Sequence, residues 1–290
     1  DIETGLVLKD LCFQDQDVEV LVRLLETYEF NTLLRELGEP QGRENGPSQQ
    51  ETHYEILNDE KSLERWIEKL RTSDLFAFDT ETTSLDYMEA RIVGVSFSVE
   101  PGHAAYVPLE HRGAGSDAQL ETAFVLGELK PLLEDGAIRK VGHNLKYDRN
   151  VLFNHGIKMD GIVHDTMLQS YINNSVGVRH NLSSVTKKYV NLDTLSYEDL
   201  VGKGVKQIPF AEVSVEDAAF YASEDADACL RVHKELYPRI KGAVGLEQVY
   251  SDIEIPLIPI LSDMERTGVL IDRALLKEQS EELATRMGNL

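Results

Sequence analysis

The chain has 290 residues, and its 51 acidic and 29 basic side chains give a formal net charge of −22. An apolar fraction of 42% is ordinary for a protein with a buried core, which excludes disorder of the whole chain. The acidity argues against a protein that coats nucleic acid non-specifically, because phosphate binding relies on Lys and Arg.

Other classes of protein are excluded by hydropathy and cysteine content. No apolar run in the sequence approaches the roughly 18–20 residues that a membrane-spanning helix needs. Two cysteines are too few for a disulfide framework, so we expect a reducing, cytoplasmic location.

Four zones follow one another along the chain. Residues 1–37 contain an amphipathic helical pattern, and residues 38–52 lack large apolar side chains, as flexible linkers do. Residues 53–242 form the main body. Residues 247–290 form a second apolar unit that stops within a helical pattern, so we expect the chain to be a piece of a longer protein.

The main body has the patterns of an α/β protein. Short apolar or alternating runs predict strands at 75–78, 91–100, 104–109 and 138–143. Helical periodicity predicts helices at 120–133, 144–155, 165–173, 181–190 and 214–240. Early strands followed by strands that alternate with helices predict a mixed β-sheet flanked by helices.

Two carboxylates lie at the end of the first predicted strand. Asp79 and Glu81 are two residues apart, so their side chains project from the same face. Carboxylates held side by side repel each other unless a proton or a cation lies between them. Strand ends in α/β sheets are also where functional sites usually form.

Further carboxylates fall on predicted helices. Asn144 and Asp148 are four residues apart and share one helix face, and so do Tyr221 and Asp225. Asp165 precedes another helical pattern and is predicted as its N-cap. Each of these features alone is typical of an ordinary solvated helix, so only their combination indicates a site.

Four stretches of sequence carry a resemblance to a known family. They are FAFDTETTSLD, VGHNLKYDRNVL, HDTMLQSYINNS and YASEDAD, which together resemble the proofreading 3′–5′ exonuclease domain of bacterial DNA polymerase I enzymes, of the DEDDy class. The resemblance covers about residues 54–240 and implies the ribonuclease H-like exonuclease fold. Residues 253–272 resemble the start of the polymerase domain in that family, and residues 1–37 resemble the tail after its 5′-nuclease domain.

The resemblance implies metal-dependent hydrolysis. Two divalent ions, Mg²⁺ or Mn²⁺, would be bound by Asp79, Glu81, Asp148 and Asp225, whose hard oxygen atoms suit such ions. Tyr221 would orient the water that attacks the terminal phosphodiester, and the product would be a nucleoside 5′-monophosphate. A phenol with a pKa near 10 is a poor base at neutral pH, so we assign Tyr221 orientation only.

The resemblance also implies how a single-stranded DNA 3′ end is held. Leu85 would act as a wedge beside the terminal base, and Tyr197 would stack on a base where well-known relatives carry Phe. Asn144 and Tyr147 would line the same site. Arg179, which lies in the basic stretch 179–206, is a further predicted substrate contact. The remainder of a polymerase I chain is the implied partner, and a monomer is expected.

The distribution of charge makes the acidity compatible with DNA. Residues 1–60 contain 15 acidic and 4 basic residues, so half of the net charge lies outside the proposed site. The stretches 139–149 and 179–206 carry net charges of +3 and +2 and are predicted phosphate contacts. We therefore expect a weak, salt-sensitive grip on a short single strand.

Alternative functions stay open at this point. An RNA-trimming exonuclease of the ribonuclease D type would use the same carboxylates, and a non-catalytic spacer of a polymerase would share the fold. The polymerase-like C-terminal segment favours DNA, and the presence of all four acids disfavours the spacer. The unit at 247–290 is too short for a polymerase palm, so we expect no nucleotide incorporation.

Overall fold

A computed structural model of the protein describes residues 17–28, 30, 33–34, 37, 52–176 and 179–289. It divides into two compact units, residues 1–48 and 49–290. In the first unit, helix α1 spans Val18–Thr27, within the helical pattern predicted there. Apart from residue 52, the predicted linker lies outside the described residues. Within the described ranges, no helix is long and apolar enough to cross a membrane.

The second unit contains a six-stranded sheet, and helices lie between and after its strands along the chain. Its strands are β1 His53–Ile56, β2 Phe76–Thr82, β3 Ile92–Glu100, β4 His103–Pro108, β5 Lys140–Gly142 and β6 Ile162–Asp165. Its helices are α2 Glu60–Thr72, α3 Thr122–Glu134, α4 Leu145–Asn154, α5 Thr166–Asn173, α6 Leu182–Val190, α7 Tyr197–Val201, α8 Val215–Lys241, α9 Leu246–Val249, α10 Ile255–Thr267 and α11 Arg273–Gly288. A π-helical turn, Tyr250–Glu254, joins α9 to α10.

The sheet is mixed, with the strand order β1-β4-β3-β2-β5-β6. β3 runs antiparallel to both β2 and β4, and the other pairs are parallel. β5 pairs with β2 only at Phe76 and Ala77, so the later part of β2 has a free edge on that side. The predicted mixed sheet flanked by helices is confirmed.

Several elements had no prediction, among them β1, β6 and α2. Strands β1 and β6 each have four residues, too few for a clear alternating pattern. Helix α2 did have a signal, because Leu63, Trp66, Ile67 and Leu70 recur at helical spacing and are all buried. Asp59 caps this helix by accepting a backbone N–H at 3.0 Å, as Asp does at N-caps.

The two faces of the sheet bury different cores. Phe76 and Phe78 of β2 belong to a large cluster with side chains of α2, α3 and α4. Ala77, between them, faces α8 and packs with Cys229 and Leu230. This alternation follows from the two-residue period of a strand, and it sets the odd-numbered residues of β2 toward α8.

Close approach within the sheet requires a glycine on β3. A Cβ at Gly94 would lie 2.0 Å from the hydroxyl of Tyr106, a fully buried residue of β4. The Tyr106 hydroxyl shares a hydrogen bond of 2.7 Å with Nε2 of His111. Any side chain at Gly94 would therefore displace a buried, hydrogen-bonded ring.

A cluster of aromatic rings packs behind β6. His164 lies 4.2 Å from His233 and 4.4 Å from Tyr237, between ring centroids. Burial, and then the neighbouring His233, lowers the pKa of His164 to about 3. Burial, and then the charge of Arg139, lowers the pKa of His233 to about 4. Both rings are therefore neutral at pH 7.

These buried rings make the stability depend on pH. An unfolded His has a pKa near 6.5, so below that pH the unfolded chain binds a proton that folded His164 does not. We expect His164 to contribute a fall of about 1–2 kcal/mol in the free energy of unfolding between pH 7 and pH 5, which His164→Gln removes. Urea unfolding at both pH values measures it. His53→Gln, at an exposed position, is the matched control and should leave the fall unchanged; an equal effect of both variants would contradict the assignment.

Candidate active site

Acidic side chains of β2 and α8 face each other across the sheet surface. Asp79 and Glu81 lie on the same side of β2 as Ala77, the side covered by α8. Tyr221 and Asp225 lie one turn apart on α8 and are joined by a side-chain hydrogen bond. The strand period and the helix period therefore bring both predicted motifs to one place.

Asp148 reaches the site from α4. Its Oδ1 accepts hydrogen bonds from the Thr80 N–H, at 3.0 Å, and from Thr80 Oγ1, at 2.6 Å. That N–H is available because β5 pairs with β2 only as far as Ala77. Asn144, in the left-handed conformation with φ 66°, turns the chain from β5 into α4, a conformation that Asn tolerates.

A cleft of about 530 Å³ joins these groups. It is lined by Asp79, Thr80, Glu81, Thr82, Thr83, Ser84, Leu85, His143, Asn144, Tyr147, Asp148, Tyr197, Gln207, Tyr221 and Asp225. Every predicted site residue except Arg179 is in this lining. Arg179 is exposed ahead of α6, so its assignment stays a prediction without support from the cleft.

Apolar surface is open at the mouth of the cleft. The side chain of Leu85 is 94% exposed, and that of Tyr197 is 41% exposed. The Tyr197 ring lies 6.3 Å from both Phe210, which it stacks against, and Tyr221. Tyr197 therefore packs against two aromatic rings and still exposes part of its own ring to solvent. A core residue would be fully buried.

Each carboxylate of the site makes ionisation of its neighbours less favourable. Burial and then the charge of Asp225 raise the pKa of Asp79 to about 8, and burial raises the pKa of Asp225 itself to about 7. Burial and neighbouring carboxylates also hold the pKa values of Glu81 and Asp148 well above their ordinary range. Burial, followed by Asp225, raises the pKa of Tyr221 above 10, so its phenol stays protonated.

The donor atoms of the cleft suit a hard cation. Four carboxylates line it, and their mutual repulsion would be relieved by positive charge. Oxygen donors of this kind prefer Mg²⁺ or Mn²⁺. In the described part of the chain, no group of three or more His, Cys, Asp or Glu side chains is placed so that it could hold a metal ion. The fit therefore rests on the donor chemistry.

Several neighbouring polar residues had no predicted role. Thr80 holds Asp148, and the backbone carbonyl of Ser84 accepts the Tyr147 hydroxyl at 2.6 Å. Thr82 shares a further hydrogen bond with that hydroxyl. Thr80, Thr82 and Ser84 adjoin the predicted carboxylates within DTETTS, so their place in the sequence could have indicated a role at the site.

The first basic stretch does not form the predicted phosphate surface. Lys140 is fully buried, and its Nζ donates to a backbone carbonyl of the preceding turn at 2.8 Å. Arg149 is also buried and forms an ion pair of 3.0 Å with Asp263, while Lys146 pairs with Glu265. The prediction was wrong for Lys140 and Arg149, because both side chains are buried. Lys140 is bonded to a backbone carbonyl and Arg149 is paired with Asp263, so neither is available to a phosphate.

The fold and the site together define a class of protein, which comparisons with known proteins identify. Residues 54–241 match the family model of the 3′–5′ exonuclease of A-type DNA polymerases, and the chain belongs to this family. The resemblance seen in the sequence is thereby confirmed.

A DNA polymerase I from Pseudomonas aeruginosa is 42% identical over 295 residues, an alignment that covers 99% of this chain and 32% of the relative. The chain thus spans about a third of the length of that relative.

Two solved structures share this fold. Brucella melitensis NrnC with bound Mg²⁺ matches 76% of this chain and 95% of its own, with a TM-score of 0.53 and 20% identity. Escherichia coli RNase D, an exoribonuclease involved in structured RNA processing, matches 73% of this chain and 51% of its own, with a TM-score of 0.54 and 18% identity. At these identities the likeness supports the ribonuclease H-like fold, which is confirmed.

The crowding of carboxylates predicts a stability cost in the absence of divalent ions. Asp79→Asn removes a buried carboxylate that is about half ionised at pH 8, and it keeps the shape of the side chain. We expect it to raise the melting temperature in EDTA by about 2–4 °C, the shift that accompanies about 1 kcal/mol in a domain of this size. Thermal unfolding followed by circular dichroism measures the change. Asp74→Asn, on an exposed turn, is the control and should have no effect. A lowered melting temperature for Asp79→Asn would contradict the repulsion.

Proposed function

We propose that this chain hydrolyses the 3′-terminal phosphodiester of single-stranded DNA and releases nucleoside 5′-monophosphates, as the proofreading exonuclease of a DNA polymerase I. The observation that supports this most is the convergence of Asp79, Glu81, Asp148, Asp225 and Tyr221, from one strand and two helices, on one cleft. The family of the chain supports the same reaction.

We further propose that two divalent ions, Mg²⁺ or Mn²⁺, take part. Asp79, Glu81 and Asp225 would hold the first, and Asp79 would also hold the second with help from Asp148 through water. When bound, such a pair of ions lowers the pKa of water and stabilises the attacking and leaving oxygens of a phosphoryl displacement. NrnC, of related fold, has been solved with Mg²⁺, which is consistent with this assignment.

The residues of the chain contribute orientation. The Tyr221 phenol is protonated at neutral pH, so it can orient the attacking water by hydrogen bonding but cannot accept the proton of that water. Asp148 is held by two hydrogen bonds from Thr80, which prevents it from turning away from the cleft. Orientation of this kind reduces the entropy lost on reaching the transition state.

The mouth of the cleft supports binding of unpaired bases. Leu85 projects into solvent, and Tyr197 offers a ring on which a base can stack without regard to sequence. The net charge of −22 makes a weak, salt-sensitive grip the expected behaviour. The remainder of a DNA polymerase I chain is the proposed partner, and the cytoplasmic location and the monomeric state stay predictions.

The reaction can be tested by release of mononucleotides from a 3′-labelled single strand in Mg²⁺. We expect EDTA to abolish release and Asp79→Ala to reduce it by about 100-fold or more, because the site loses the carboxylate that would hold both divalent ions. Asp74→Ala is the matched control and should match the unmodified chain. A chain that is inert with both Mg²⁺ and Mn²⁺ would overturn the proposal.

The same assay with a matched RNA strand tests the choice of substrate. We expect faster release from DNA, in keeping with the DNA polymerase relative. Faster release from RNA would favour the ribonuclease D type of activity instead.

Substrate contacts can be separated from chemistry at Tyr197. We expect Tyr197→Ala to lower kcat/KM on single-stranded DNA by about 5–100-fold, the equivalent of the 1–3 kcal/mol that stacking provides per base. Tyr197→Phe keeps the ring and should retain near-normal activity. For Leu85→Ala we expect a loss in the same direction, with Met88→Ala as the control because Met88 is exposed nearby but does not line the cleft. Equal activity of Tyr197→Ala and Tyr197→Phe would contradict a stacking role.

A further inference from the structure

Residues 246–267 pack directly on the helix that carries Asp148. They form α9, the π-helical turn and α10, and they follow the region matched by the exonuclease family, residues 54–241. α10 contacts α4, and the π-helical turn contacts α5. The segment therefore adjoins the candidate active site without contributing a side chain to the cleft.

The first set of contacts lies along α4, in the residues that follow Asp148. Ser262 Oγ donates to Asn150 Oδ1 at 2.7 Å and also accepts a hydrogen bond from Arg149. Asp263 pairs with Arg149 at 3.0 Å. Asn150 and Ser262 are both fully buried, so these bonds are shielded from water and are costly to break.

Three further contacts extend the same interface. Glu265 accepts from Asn150 Nδ2 at 3.2 Å and forms an ion pair with Lys146. Arg266 Nη1 donates to the backbone carbonyl of Asn150 at 2.9 Å. α10 is thus bonded to side chains on both sides of Asp148 in the sequence, which fixes the rotation of α4 about its axis.

The second set of contacts lies at the first turn of α4. The hydroxyl oxygen of Tyr250 accepts the Asp165 N–H and Gln169 Nε2–H, both at 3.0 Å. The Asp165 carboxylate in turn accepts the N–H of Leu145, the first residue of α4, at 2.8 Å. Tyr250, Gln169 and Leu145 are fully buried, and Asp165 is nearly so. A chain of hydrogen bonds therefore runs from the C-terminal segment to the start of α4.

We propose that residues 246–267 are a positioning element of the exonuclease site, and that Tyr250 is a positioning residue for Asp148 and Tyr147. This inference rests on the proposed function. α4 is a rigid element, so a change at its first turn or along its outer face moves Asp148 relative to Thr80 and the carboxylates of β2 and α8. Outer residues that orient metal-binding groups typically change metal affinity or activity by about 10–100-fold when altered.

Tyr250→Phe tests the inference in the full chain, because it removes one hydroxyl and keeps the ring. We expect kcat on single-stranded DNA to fall by about tenfold with little change in KM, and the Mg²⁺ concentration for half-maximal rate to rise several-fold. Both are measured well below the melting temperature of each protein. Tyr237→Phe is the matched control: it lies in the same ring cluster, and its hydroxyl makes no hydrogen bond among the described residues.

A second pair of variants covers the case in which Tyr250→Phe does not fold. Glu265→Gln weakens the bonds to Lys146 and Asn150, and we expect it to lower kcat and raise the Mg²⁺ requirement in the same way. Glu282→Gln breaks an ion pair of 2.7 Å with Arg286 on exposed α11 and serves as its control.

The outcomes separate this inference from the proposed function. An inactive unmodified chain overturns the proposed function and this inference with it. An active unmodified chain whose Tyr250→Phe and Glu265→Gln variants show the kcat and Mg²⁺ dependence of their controls overturns the inference alone. Lower melting temperatures without a change in kcat or Mg²⁺ dependence also overturn it, since they indicate a role in stability only.

Discussion

The structure is organised around the repulsion among four carboxylates in one cleft. Asp79, Glu81, Asp148 and Asp225 come from three elements, and burial keeps water from screening them, so their pKa values are all raised. Such a group holds together only if the surrounding fold is stiff enough to oppose the repulsion. The sheet, the helices and the hydrogen bonds around the cleft supply that stiffness. A bound cation would relieve the repulsion among the carboxylates, and this gain in free energy would favour cation binding.

Each side of the cleft is stiffened in its own way. α8 lies close to the sheet because alanines such as Ala218 and Ala222 pack there, in a cluster that includes Tyr106. α4 packs on the sheet through apolar side chains such as Leu145 and Val151. It is also held by polar contacts, with Thr80 on one side and with residues 246–267 on the other. The position of Asp148 therefore depends on hydrogen bonds as well as on apolar packing, and this explains why the C-terminal segment matters to the site.

Much of the candidate site could be predicted from local spacing. Asp79 and Glu81 share a strand face, and Tyr221 and Asp225 share a helix face, because these relations are properties of the elements themselves. The N-cap role of Asp165 followed from its place before a helical pattern and is confirmed, with bonds from the next turn at 2.9 and 3.2 Å. The sequence also showed the burial stripe of α2, although no helix was predicted there. Short strands at the sheet edge were missed because four residues carry too little periodicity.

Long-range packing decided the rest. Three acidic residues, Glu224, Asp225 and Asp227, lie within about one turn of α8. Their spacing does not show which of them faces the cleft. In the structure Asp225 lines the cleft, whereas Asp227 is buried and bonded to Tyr54, 173 residues away. In the same way, the cations of 139–149 have the composition of a phosphate surface, but Arg149 is neutralised by a residue 114 positions later in the chain. Local order determines which face of an element a side chain occupies. Which charges stay free depends on partners distant in the chain, because a buried charge must be paired, and pairing is a property of the folded chain.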